Sequence, residues 1–177
     1  MFILLFVDET FNILTSLAAQ VFKTEIMLIT LVDLGNQWFL SKVGLPDEVK
    51  GTPRCSSFCN YTIKKGNRGR GAFIVPDARA DPRFAQNALV TGPPFIRYYC
   101  GVPLMCKDGH CLGSFCAIDS EPRVETSLEH INILKSLAIV AITQMNNKLL
   151  ERQTMLVEKS RYMACTCHDL ITPLVRA

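Results

Sequence analysis

Nothing in these 177 residues approaches the run of ~20 apolar positions that a membrane-crossing helix needs. The apolar start, residues 1–7, is short and has no basic segment before it, so it does not read as a secretory leader. No membrane partner is expected, and the chain reads as cytoplasmic. Charge of one sign is also scarce. Nineteen Lys and Arg against 16 Asp and Glu leave +3, too little to argue for a nucleic-acid partner. The basic residues cluster only at Lys64, Lys65, Arg68 and Arg70, among Gly66, Gly69 and Gly71, which reads as a solvated loop. Three histidines and eight cysteines show no paired metal-ligand spacing, so no metal is expected. Unpaired cysteines agree with a reducing compartment. There is no internal repeat and no low-complexity tract, which excludes solenoids and disordered linkers.

What is present is globular: 49% hydrophobic and 20% charged residues. Residues 8–23 space Phe11, Leu14, Leu17, Ala18 and Val21 as one helical face. Residues 25–32 are apolar on both faces and predict a central strand. A turn at 33–36 leads to a return strand at 37–43, carrying Trp38 and Phe39. Residues 45–54 read as loop, and 56–64 as a short helix capped by Ser56 or Ser57. A short strand at 72–75 precedes an irregular stretch, 78–94; a loop this long is usually functional or packed on itself. Residues 97–105 and 111–118 form a hairpin around the two-residue signal Asp108-Gly109. Ser127 starts a helix that runs to Leu170.

Several blocks in this order carry a family resemblance. They are Leu31-Val32-Asp33, Gln37-Trp38-Phe39, Ser57-Phe58-Cys59, Val75-Pro76-Asp77-Ala78-Arg79, Asp81-Pro82-Arg83-Phe84, Val90-Thr91-Gly92-Pro93-Pro94, Ile96-Arg97, Gly101-Val102-Pro103-Leu104, Asp108-Gly109-His110, Leu112-Gly113 and Ile118-Asp119. Over residues 8–144 the chain resembles the GAF domain. The resemblance implies an α+β fold: a central antiparallel sheet, helices on one face, pocket-forming loops on the other, and a long C-terminal signalling helix. It implies a sensory role and a small-molecule pocket walled by Phe58, Phe84, Phe95 and Tyr99. The family's cyclic-nucleotide and bilin motifs are absent. Asn60 and Tyr61 follow the Ser-Phe-Cys block where related sequences often carry a histidine.

A second resemblance covers residues 145–177. Tyr162, Ala164, His168, Asp169, Leu170, Thr172, Pro173 and Leu174 resemble the phosphoacceptor box of histidine kinases, with Cys167 and Ile171 in place of its usual serine and basic residue. The resemblance implies that His168 accepts phosphate, that Asp169 orients or deprotonates its ring, and that Thr172 assists dephosphorylation. A neutral imidazole, with a pKa near ~6.5, is nucleophilic at neutral pH. ATP and Mg²⁺ are expected only on a kinase domain missing from this chain, which therefore reads as a fragment of a longer kinase. A receiver domain would be the next partner in the phosphorelay. Ile142, Leu149, Leu156, Met163 and Leu170 recur every seventh residue, one seam of a parallel coiled coil, so a homodimer through this helix is expected. His168 lies two positions from Leu170 and points about 200° away from that seam, as an acceptor needs.

Outside both resemblances, a two-residue turn at Asp108-Gly109 would place Cys106 opposite Cys111, within disulfide reach. His110 and His130 read as surface residues. Three functions remain open. The first is a sensor module of a histidine kinase, hybrid or not. The second is a stand-alone small-molecule or redox binding module. The third is a GAF-type methionine sulfoxide reductase, whose cysteine spacing this chain does not match.

Overall fold

In the computed structural model, the backbone is described for residues 9–64 and 71–171, and side chains in the last helix as far as Met163. Helix α1 (Glu9–Phe22) buries Phe11, Leu14, Thr15, Ala18 and Phe22. Leu17 of the expected face is instead 47% exposed. Thr15 takes the inner position because its hydroxyl is satisfied there, donating to the Phe11 carbonyl at 2.7 Å and meeting Ser41 Oγ at 2.8 Å.

Strand β1 (Ile26–Val32) is buried at every position but the last, as its two apolar faces predict. It pairs antiparallel with β2 (Asn36–Val43). Asp33 closes the turn between them: it accepts from Gly35 N, Asn36 N and the Trp38 indole at 2.9, 2.6 and 2.8 Å. The stretch read as loop contains a short edge strand, β3 (Gly51–Pro53), paired with β2. A single 3-10 turn (Arg54–Ser56) follows, and then α2 (Cys59–Ile63). Neither serine caps that helix; Phe58 occupies its N-cap, and the Ser57 hydroxyl bonds the buried Gln37 side chain. Strand β4 (Phe73–Val75) precedes the long irregular segment, which holds one further helix, α3 (Ala88–Thr91), capped by the Asn87 side chain on Leu89 N.

Strands β5 (Tyr98–Met105) and β6 (Cys111–Asp119) form the second hairpin. Its turn is one residue longer than the sequence suggests. Gly109 N bonds Cys106 O at 3.0 Å and Cys106 N bonds His110 O at 2.8 Å, with Gly109 at φ +81°. That is a three-residue loop ending in a left-handed glycine. All pairings are antiparallel, and the six strands lie in the order β3-β2-β1-β6-β5-β4.

Alternation along the strands divides the core in two. Ile26, Leu28, Cys116, Ile118 and Tyr99 face the loops, packed with Phe58, Cys59, Val75, Ala78, Phe84, Val90 and Ile96. Met27, Ile29, Phe115, Ala117, Tyr98 and Val102 alternate with them along the same strands and are also buried. Their face is the helix side, where α1 packs on β1 and β2. Burying each large side chain contributes about 2 kcal/mol before entropy is counted. The last helix, α4 (Leu128–Ile171), buries Ile131, Leu134, Ala138 and Ala141 in its first turns, and the Phe22 ring lies 5.0 Å from His130. The chain divides into two compact units, Met1–Ile142 and Thr143–Ala177. Among the described residues, no helix is long and apolar enough to cross a membrane.

Candidate functional site

The loop-side core combines an aromatic stack with a buried polar inset. Phe58 precedes α2 and stacks on Phe84 of the long loop, with centroids 4.1 Å apart and planes 10° from parallel. Tyr99 of β5 tilts against Phe58 at 5.3 Å. Tyr61 and Phe73 extend the group, meeting Phe84 at 4.8 and 6.2 Å. Arg83 lies over this group, its guanidinium 5.1 Å from the Phe73 centroid and 5.3 Å from that of Phe84. Asp81 holds that guanidinium through both carboxylate oxygens, Oδ2 accepting from NH2 at 2.5 Å and Oδ1 from Nε at 2.9 Å, which raises the Arg83 pKa and lowers that of Asp81.

Below the rings, register decides which polar groups meet. Cys116 of β6 stands beside Leu28 of β1 and Gly101 of β5; two pairs along, on the same face, Thr30 faces Ser114. Thr30 Oγ1 and Ser114 Oγ are 3.2 Å apart. Helix α2 brings Cys59 Sγ to 3.7 Å from Cys116 Sγ and Thr62 Oγ1 to 2.7 Å from the Tyr99 hydroxyl. The same hydroxyl donates to Cys59 Sγ at 3.4 Å. Gly101 leaves the space this needs, since a Cβ there would sit 2.7 Å from Tyr99 Cζ and 2.9 Å from Thr62 Oγ1.

The electrostatics follow from burial and these contacts. Burial pushes the Cys59 thiol up, but hydrogen bonds from Cys116, Ser114, Tyr99 and Thr30 outweigh it and bring it below the ordinary thiol range. Cys116 is held well above the ordinary thiol range, by burial and by its bond to Cys59. Tyr99 is likewise held well above the ordinary phenol range, by burial and by the adjacent sulfurs. The inset thus has one sulfur disposed toward thiolate, surrounded by donors.

Of the four expected pocket walls, Phe58, Phe84 and Tyr99 come together and touch, each at most 2% exposed. Phe95 does not join them; it is 46% exposed, at φ +58°. An open depression of about 270 Å³ lies elsewhere, at the β2–β3 edge beside Gln37, Trp38, Lys50 and Thr52.

The expected pairing of Cys106 with Cys111 is corrected by the register: Met105 stands opposite Cys111, and Cys106 opposite His110. The extra loop residue shifts the pairing by one, which in a strand exchanges the facing partners. Neither is in a disulfide, and Cys111 Sγ bonds Gly113 O at 3.3 Å. His110 lies at the exposed turn, 3.0 Å from Asp108. His168 and Asp169 fall within α4, but their side chains lie outside the described residues, as do Thr172 and most of the basic cluster, 65–70.

Cys59, Thr62, Cys116, Ser114 and Thr30 were not singled out as a site by sequence reasoning. The available signal was a polar or thiol residue at each inward position where an apolar one is expected: Thr30 in β1, and Ser114 and Cys116 in β6. Among the described residues, no group of three or more His, Cys, Asp or Glu could hold a metal.

Comparison with known proteins accords with this architecture. A family profile described as "GAF domain" matches residues 7–145. A cyclic di-GMP phosphodiesterase of Pseudomonas aeruginosa is 40% identical over 139 residues, which are 78% of this chain and 23% of that protein. The chain therefore spans about a quarter of that relative. The blue-light absorbing form of the Thermosynechococcus elongatus PixJ GAF domain superposes with a TM-score of 0.65 at 14% identity, over 83% of this chain and 89% of that one. The GAF domain of an Acinetobacter phosphoenolpyruvate-protein phosphotransferase gives 0.61 at 15% identity, over 80% and 83%. These likenesses establish the fold.

Proposed function

Because the chain belongs to the GAF domain family and is a GAF signalling module, we propose that its loop-side core is the input of a hybrid sensor histidine kinase whose phosphoacceptor is His168. The observation that carries this reading is the block from Tyr162 to Leu174, in register with the phosphoacceptor box and entered through α4. In this reading His168 attacks the γ-phosphate of ATP held, with Mg²⁺, on a separate kinase domain. Asp169 orients the imidazole, and Thr172 assists hydrolysis of the phosphohistidine. A receiver domain then takes the phosphoryl group.

The helix is suited to a homodimer. Leu149 and Leu156, one heptad apart, are 40% and 60% exposed, and burying such a seam against a second copy would release apolar surface from water. The input ligand is a small molecule entering among Phe58, Phe84 and Tyr99, which would have to part to admit it.

The test is phosphorylation in trans. The chain is incubated with Mg-ATP and a histidine-kinase ATP-binding domain, and acid-labile, base-stable phosphate is mapped. Label on His168, absent from His168→Gln, is the expected result. A folded wild-type chain that takes no label with a panel of such domains would remove the kinase reading. The 40% identical relative supports a second reading, in which the same module regulates cyclic di-GMP hydrolysis by an attached phosphodiesterase domain. In that case the block 162–174 carries no phosphate, and hydrolysis by a fusion to such a domain responds to changes in the loop-side core.

A further inference from the structure

Two thiols that the proposed relay does not use meet in the loop-side core. Cys59 and Cys116 are 1% and 0% exposed, with sulfurs 3.7 Å apart. They are 57 positions apart in the chain, so only the fold brings them together. A disulfide requires an S–S distance of about 2.0 Å, so the sulfurs must close by about 1.7 Å, within reach of a side-chain rotation and a small shift of α2. That helix has only five residues. Cys116, by contrast, sits in the middle of β6, paired on both sides by β1 and β5. Cys59 is therefore the partner on the shorter, less extensively paired element.

We propose that Cys59 and Cys116 form a reversible intramolecular disulfide when the domain meets a small peroxide. Cys59 sulfur attacks one peroxide oxygen, the O–O bond breaks, and the departing oxygen leaves as water, giving Cys59 sulfenic acid. Cys116 sulfur then attacks Cys59 sulfur. The S–O bond breaks, the hydroxyl leaves with the Cys116 proton as a second water, and the S–S bond forms. Overall, two thiols and one hydrogen peroxide give one disulfide and two waters; a dithiol reverses it.

The surroundings favour this order of events. The donors around Cys59 stabilise the sulfur that acts as nucleophile, while Cys116 keeps its proton until the second step. Cys100 is pushed up to about 11 by burial and stands beside Ala117, and Cys106 and Cys111 are not opposite each other. Cys55 is exposed and serves as an internal reporter of peroxide dose.

Closing the bond would tie α2 to β6. The signalling consequence rests on the sensory reading above, but bond formation does not, and the two fail separately. The intact chain is exposed to graded hydrogen peroxide and then denatured, free thiols are blocked with N-ethylmaleimide, and the unreduced digest is mapped by mass spectrometry. The expected product is a Cys59–Cys116 linked peptide, short of two hydrogens and lost on treatment with dithiothreitol. In Cys116→Ser, Cys59 should instead be trapped by dimedone as its sulfenic acid. The proposal is overturned if Cys59 remains fully alkylated at a dose that consumes Cys55, or if oxidised Cys59 is linked to another cysteine. Should Cys116→Ser fail to fold, the wild-type map decides alone. Labelling of His168 is read in a separate assay, so its absence leaves this result intact.

Discussion

Arg123 holds the carboxylate of Asp119, NH2 to Oδ2 at 2.7 Å, and with the same guanidinium caps the end of α1, donating to the Phe22 carbonyl at 2.9 Å and the Lys23 carbonyl at 2.6 Å. Its backbone N–H also reaches Pro76 O at 3.0 Å. One residue thus joins the exit of β6, the C-terminus of α1 and the segment after β4. Replacing it with alanine leaves two carbonyls and a carboxylate without that donor, and should destabilise the domain by about 2 kcal/mol. Lysine should recover only part of this, because a single ammonium cannot span the three acceptors. Urea unfolding of the three proteins checks both; a lysine variant as stable as wild type would show that charge, not the fork, matters.

Asp77 makes the stability of the domain depend on acid. Two hydrogen bonds from Arg97, at 2.7 and 2.6 Å, hold its carboxyl below the ordinary carboxylate range. The group therefore binds protons more readily unfolded than folded. Its contribution is fully present above the unfolded pKa of about 3.9 and is lost as pH falls through the lower folded value. Asp33 and Asp81 are shifted in the same direction, so Asp77→Asn should reduce the acid sensitivity without abolishing it. Urea midpoints measured across the acid range test this: an unchanged slope in Asp77→Asn would mean that the pair contributes nothing.

Gly101 and Tyr99 should show coupled energetics. A methyl group at 101 meets the Tyr99 hydroxyl and ring and the Thr62 hydroxyl. Gly101→Ala is therefore expected to cost about 1–3 kcal/mol as overpacking. Tyr99→Phe removes the hydroxyl from that crowded space, so the alanine should cost less in the phenylalanine background. A double-mutant cycle measures the difference. Strict additivity would contradict the packing described here.

Two of the expected pocket aromatics should respond very differently to truncation. Phe84 is fully buried against three rings, and Phe84→Ala should cost about 3–5 kcal/mol as a cavity opens. Phe95→Ala, at an exposed position, should fall within about 0.5 kcal/mol of wild type. Phe95→Gly should be stabilising relative to Phe95→Ala, because its φ of +58° lies where glycine has no steric penalty. Thermal unfolding of the variants orders them.

The local pattern of the chain was sufficient for the long elements. The two apolar faces of 26–32 mark a central strand wherever the rest folds, and the 3.6-residue spacing of Phe11, Leu14 and Ala18 marks a helix face. Family blocks then placed the hairpins and the loop aromatics in order. The shorter elements depended on partners distant in the chain. Strand β3 exists because β2 offers it an edge, and Ser57 gives up a capping role because Gln37 is buried beside it. The hairpin turn differed by one residue, and that single step separated Cys106 from Cys111. The proximity of Cys59 to Cys116 was set by tertiary structure alone. Sequence spacing carries the period of a strand or a helix, but the meeting of a strand residue with a helix residue 57 positions away depends on sheet register and on where a five-residue helix settles over it.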